Sequence, residues 1–155
     1  MDIQGASLRY LSYRDRSAKE MAEYLEKKGF AAVDIEEEIH RLKARRYIDD
    51  ARFARQHILY ALSKGRGSLR IERDLKNKGI CREDLEDGMY QAEEILEMTY
   101  EDCQRQQAAK IATTMMEGLE INEKHLARVA RRLAGRGYKT GIIYDTIRQI
   151  QEEEI

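Results

Sequence analysis

The chain has 155 residues, 28 Lys/Arg against 29 Asp/Glu, 42% hydrophobic and 37% charged residues, and no proline. Apolar residues recur throughout at helical spacing, which excludes a disordered chain, and no apolar run approaches the roughly 20 residues that span a bilayer. The good helix formers Ala, Leu, Glu, Lys, Arg, Gln and Met dominate and no β-branched run suggests a sheet, so an all-α fold is expected.

A first helix is expected over about residues 3–14. Ser17 with Glu20 then forms a capping-box pattern ahead of Met21, opening a helix that carries Leu25 and stops at Gly29. Phe30, Ile35 and Ile39 space the next helix. Asp49 or Asp50 can cap a helix over 51–64. Ile71 and Leu75 lead to Gly79, followed by Ile80, Leu85 and Met89. A helix over 102–118 precedes a segment capped by Asn122 that carries Val129 and Leu133 to Gly137. Tyr138, Ile143 and Ile147 space the last helix, with Thr140 as its expected cap.

Aligned on Gly29, Gly79 and Gly137, these segments repeat one pattern, apolar-x3-Leu-x3-Gly-apolar-x4-apolar-x3-apolar, without a gap. Residues four apart share a helix face, and glycine supplies the positive φ that closes a helix cheaply. Lys28, Lys78 and Arg136 precede the glycines, where a cation meets the negative end of the helix dipole. The pattern predicts three tandem three-helix units, 1–48, 49–100 and 101–155.

The near-zero net charge conceals segregation. Residues 41–82 hold 13 basic against 4 acidic residues, residues 83–102 hold 9 acidic and no basic ones, and residues 103–140 hold 8 basic against 3 acidic. In the middle unit Arg66, Arg70 and Arg73 fall at helical spacing, with Lys76 beyond them. The aligned residues of the third unit are Lys124, Arg128 and Arg131, and those of the first are Arg16, Glu20 and Glu23. One reading is a solvated helix face. The other, favoured by recurrence, is a surface for phosphates or another acidic partner.

No catalytic constellation stands out, and no enzyme is expected. His40, His57 and His125 lack zinc-type spacing with Cys81 or Cys103. The two distant cysteines read as reduced thiols of a cytoplasmic protein. Glu36-Glu37-Glu38 and Glu152-Glu153-Glu154 read as solvated faces or a tail. Gly65-Arg66-Gly67 reads as a turn, with phosphate binding at the following helix N-terminus as the alternative. Tyr47, Phe53 and Tyr60 either fill seams between units or stack bases.

The stretch Tyr47-Ile48-Asp49-Asp50-Ala51-Arg52-Phe53-Ala54, then Lys64-Gly65-Arg66-Gly67, Arg70-Ile71 and Leu75 before Lys78-Gly79-Ile80, resembles the RecX family, bacterial regulators of the RecA recombinase. Arg14-Asp15-Arg16-Ser17, Leu25 and Lys28-Gly29-Phe30 agree in the first unit, as do Leu133, Arg136-Gly137-Tyr138 and Ile147 in the third. Ser68 stands where family members often have proline. The resemblance implies three three-helix repeats in an elongated, curved array. It implies a protein that binds RecA filaments, with or without single- or double-stranded DNA, and inhibits RecA in recombination and the damage response. No cofactor is implied, and a monomer is expected. Asp49, Asp50 and Phe53 are expected to join the first two units as cap and seam residues. Two other readings compete: a helix-turn-helix DNA-binding regulator, and a helical-repeat adaptor for an acidic protein.

Overall fold

Cap chemistry sets where most helices begin. The computed structural model describes residues 1–153, which form nine helices: α1 Ile3–Leu11, α2 Ala18–Lys27, α3 Ala32–Ala44, α4 Asp50–Ser63, α5 Ser68–Asn77, α6 Arg82–Leu96, α7 Tyr100–Met116, α8 Glu123–Gly135 and α9 Thr140–Glu153. No strand occurs among the described residues. Ser17 and Glu20 make the reciprocal capping box of α2. Asp49, not Asp50, caps α4, accepting the Arg52 N–H. Thr99 caps α7 and Asn122 caps α8 in the same way. Thr140 is the first residue of α9 rather than its cap.

The three anchor glycines close α2, α5 and α8 in one geometry. Their φ angles are 90°, 81° and 93° for Gly29, Gly79 and Gly137. The N–H of the next residue returns to the leucine carbonyl: Phe30 to Leu25, Ile80 to Leu75, Tyr138 to Leu133. The glycine N–H returns to Glu26, Lys76 and Ala134. This pair of bonds is the Schellman stop.

Each trio of helices encloses its own core. Ala6, Met21, Leu25, Ile35 and Leu42 fill the first, closed by Ile48. Ala54, Ile58, Ala61, Ile71, Leu75 and Leu85 fill the second, which reaches into α7 through Cys103. Ala108, Ala112, Val129, Leu133, Tyr138 and Ile142 fill the third. The fold is thus all-α, an array of three-helix units. Its accessible surface is 9884 Å². A compact globule of this mass exposes about 8,100 Å². The excess is what an elongated stack exposes, since each unit touches only its neighbours.

The units join through the ends of their middle helices. The start of α2 sits on the turn after α5: Ser17 Oγ donates to the Lys78 carbonyl at 2.8 Å, and Lys19 Nζ to the Asn77 carbonyl at 3.1 Å. The start of α5 sits in the same way on the turn after α8. There the Gly67 N–H donates to the Arg136 carbonyl at 2.8 Å and the Leu69 N–H to the Gly137 carbonyl at 2.9 Å. Each junction brings the positive end of one helix to the negative end of the next. At the second the orphan N–H and C=O groups satisfy one another directly, and at the first side chains reach the orphan carbonyls. A side chain from the neighbouring unit takes one more N–H: Asp50 accepts from Ala18, and Gln104 from Ser68, both at 2.9 Å. Helices α8, α5 and α2 therefore follow one another end to end.

Candidate nucleic-acid interface

The cations singled out in the sequence lie on two successive members of that series. On α5, Ile71 and Leu75 face the core while Arg73 and Lys76 are exposed; Arg70 is half-buried and pairs with Asp74 at 3.8 Å. On α8, Val129 and Leu133 face the core while Lys124, Arg128 and Arg131 are exposed. Arg73, Lys76, Lys124, Arg128 and Arg131 form no ion pair with the described residues. Unpaired, exposed cations are those able to exchange counterions for phosphates.

The stripes differ in one respect from the sequence expectation. Arg66 lies in the loop before α5, because Gly67 is the N-cap of that helix. Its counterpart Lys124 lies inside α8, which starts three residues earlier in the repeat register because Asn122 provides a side-chain cap. Gly65-Arg66-Gly67 does form a turn, with Gly65 at φ 72°. The α5 N-terminus is not free for phosphate: the N–H groups of Ser68 and Leu69 are bonded to the third unit.

Arg73, Lys76 and Arg82, with Glu72 as the one carboxylate, line a groove of about 650 Å³ floored by Ile80 and Leu85, between α5 and α6. The first unit has the corresponding groove, of about 600 Å³, floored by Ala22, Phe30, Ile35 and Ile39 and edged by Glu26 and Glu36. One notch in the repeat thus carries opposite charge in consecutive units.

The aromatic residues separate into different roles. Phe53 is 9% exposed and packs in the second unit's own core rather than in a seam. Tyr47 and Tyr60 are exposed. Arg66 and Lys64 stand over the Tyr60 ring, 5.3 and 5.6 Å from its centre. The first unit holds a tighter version: Tyr10 stacks on Tyr24 with ring centres 3.9 Å apart, and the Arg16 guanidinium lies 3.7 Å from the Tyr10 centre.

Several polar residues proved structural in ways the sequence pattern hid. Glu38, read as part of a solvated acidic face, is buried, accepts from Ser7 Oγ and pairs with Arg41 at 2.7 Å. Only its place one position before Ile39 in the core periodicity hinted at this. Glu152 and Glu153 are exposed at the end of α9, and Glu154 lies outside the described residues. Glu20 bridges the first junction, accepting from Arg14, Lys78 and the Ser17 N–H. Burial alone would raise its pKa, but these bonds outweigh it and hold the carboxyl at about 2. Burial pushes Asp50 upward, the Ala18 N–H opposing. Burial lowers the pKa of His57, whose Nε2 has no hydrogen-bond partner among the described residues. His40 is exposed on α3. No helix among the described residues is long and apolar enough to cross a membrane.

Comparison with known proteins agrees with this architecture. Residues 5–42 match the family described as RecX, first three-helix domain, and residues 49–89 that described as RecX, second three-helix domain. The chain is 28% identical over 153 residues to regulatory protein RecX of Oceanobacillus iheyensis, covering 96% of this chain and 53% of that one. It is 44% identical over 75 residues to regulatory protein RecX of Bacillus licheniformis, covering 48% of this chain and 28% of that one. The chain spans about half the length of such relatives. A crystal structure of RecX from Lactobacillus salivarius shares the fold, with a TM-score of 0.83 at 22% identity, covering 96% of this chain and 94% of that one. The chain belongs to the RecX family of regulatory proteins.

Proposed function

We propose that this protein binds the RecA filament and its DNA and inhibits RecA recombinase and ATPase activity. The observation that carries the reading is the placement of unpaired, exposed cations on α5 and α8, helices that follow one another end to end. Such a row supplies several weak phosphate contacts along one ligand, and contacts on one scaffold gain through effective concentration. The acidic groove of the first unit adds a surface of opposite sign, suited to basic protein surface in a filament built of protein and nucleic acid. The contact cations are Arg66, Arg70, Arg73 and Lys76 in the second unit and Lys124, Arg128 and Arg131 in the third. Units 1–48, 49–100 and 101–155 act as one rod, and the protein works as a monomer in the cytoplasm.

For α5 a plain helix-turn-helix mode fits less well. A recognition helix presents its N-terminal residues to base edges. The start of α5 is bonded to the third unit instead.

The test adds the protein to preformed RecA filaments on single-stranded DNA and follows ATP hydrolysis and strand exchange. Inhibition is expected. Reversing Arg73, Arg128 and Arg131 to Glu should abolish it and flatten the salt dependence of DNA binding, each lost phosphate contact lowering the slope by about one. Full inhibition by the triple variant would overturn the assignment of these residues, and no effect of the wild-type chain even in excess would overturn the reading.

A further inference from the structure

The repeat lets one unit interpret another. Tyr10 and Tyr60 occupy the same place in the register, nineteen residues before Gly29 and Gly79. Arg16 and Arg66 are likewise equivalent, thirteen residues before each glycine. In the first unit the Tyr10 ring is closed on both sides by chemistry within the chain: Tyr24 stacks on it in parallel, and Arg16 lies on it at 3.7 Å. Tyr10 is half-buried as a result. In the second unit the position of Tyr24 is taken by Asp74, which turns to Arg70. No aromatic ring among the described residues stacks on Tyr60, which is 53% exposed. Its two cations stay beyond 5 Å from the ring centre, too far for the close stacking seen with Arg16. In the third unit the position holds Gly118, so the site occurs in one unit only.

Resting on the DNA-binding reading above, we propose that Tyr60 is a stacking site for an unpaired base of a single strand, with Lys64 and Arg66 holding the adjoining phosphates. Tyr24 on Tyr10 shows inside the same fold what kind of group this position takes: a flat ring, parallel and within van der Waals distance. A base has that shape, and stacking on tyrosine tolerates any sequence. The surrounding charge selects an anionic carrier for the ring. Lys64 and Arg66 flank it, and Arg136 reaches the same turn, donating to the Lys64 carbonyl at 3.0 Å. An acidic peptide offers the charge without the base faces, and a duplex keeps its base faces stacked inside. The site therefore prefers single strands over duplex.

The full chain is titrated with a fluorescein-labelled oligothymidylate, the same strand made abasic, and a labelled duplex. Tyr60→Ala should weaken oligothymidylate binding by about fivefold or more, with an unchanged salt slope. Tyr60→Phe should bind as wild type. The abasic strand and the duplex should not distinguish Tyr60→Ala from wild type. Because the chain has no tryptophan, Tyr60→Trp gives a single reporter, and oligothymidylate but not the abasic strand should quench it. Equal binding of oligothymidylate by wild type and Tyr60→Ala, or an equal loss on the abasic strand, overturns the proposal while leaving the cationic surface standing. A wild-type chain that binds none of the three overturns the DNA reading and this site together.

Discussion

The two junctions between units bring the same helix ends together with different chemistry. At the first, side chains make the bonds: Ser17 and Lys19 reach the α5–α6 turn, Glu20 pairs with Lys78, and Asp50 takes the Ala18 N–H. At the second, backbone meets backbone through Gly67, Leu69, Arg136 and Gly137, with Tyr138 Oη donating to the Gly65 carbonyl at 2.9 Å. The docking geometry is therefore a property of the helix ends, which must satisfy their N–H and C=O groups by some means. The side chains decide only which means. A junction of side chains is open to titration and replacement. One of backbone depends on space between main chains, where the first junction is tight only between Gly79 and the Lys19 side chain.

The largest test of that contrast is Gly67→Ala. A Cβ there would overlap the backbone of Gly137 and Tyr138. The two helix ends would have to part, and buried N–H groups of α5 would lose their acceptors. The expected cost is about 3 kcal/mol or more. Urea unfolding followed by hydrogen exchange should show α8 and α9 released first. Ordinary exchange protection of these helices in the variant would show that the second junction does not depend on close approach.

The two junctions should also fail at opposite ends of the pH scale. Glu20 has its carboxyl lowered from 4.5 to about 2, so its contribution is complete above about pH 4.5 and lost as pH falls toward 2. Tyr138 is the reverse case. Burial raises its phenol from 10 to about 12, the Arg136 charge opposing, so its contribution is complete below pH 10 and lost as pH rises through 12. Each is on the order of 1–2 kcal/mol after allowance for solvent screening. Exchange protection at the start of α2 should weaken in acid and that around Gly65 in alkali. Glu20→Gln should remove the loss of the first junction in acid, leaving only the opposite dependence of buried Asp50, whose raised pKa favours the fold as pH falls. Tyr138→Phe should remove the alkaline dependence of the second. Parallel loss of both junctions at one pH extreme would contradict the division.

The smallest effect belongs to Gly29→Ala. Gly29 has the same left-handed backbone as Gly137, but nothing lies within 4 Å of an added Cβ. Its replacement should cost only the conformational penalty, about 1–2 kcal/mol. Gly137→Ala adds a clash with the Arg70 backbone and should cost clearly more in the same urea titration. Equal costs would mean that Gly137 serves only as a helix stop.

Much of the architecture was written locally. Spacing of Met21 with Leu25, Ile71 with Leu75 and Val129 with Leu133 marks the buried face of each middle helix, because helical periodicity needs no knowledge of partners. The glycine stops and the Ser17, Asp49 and Asn122 caps follow from bonds spanning a few residues. The exposed cations of α5 and α8 were legible for the same reason, as the complement of that buried face. What the sequence alone did not determine is every feature that depends on residues distant in the chain. The burial of Glu38 depends on Ser7, the occupation of the α5 N-terminus on Gln104 and Gly137, and the open ring of Tyr60 on Asp74 standing where the first unit has Tyr24. Local bonding rules fix a helix and its ends, whereas burial, pairing and vacancy are set by what packing brings alongside, and only the tertiary structure decides that.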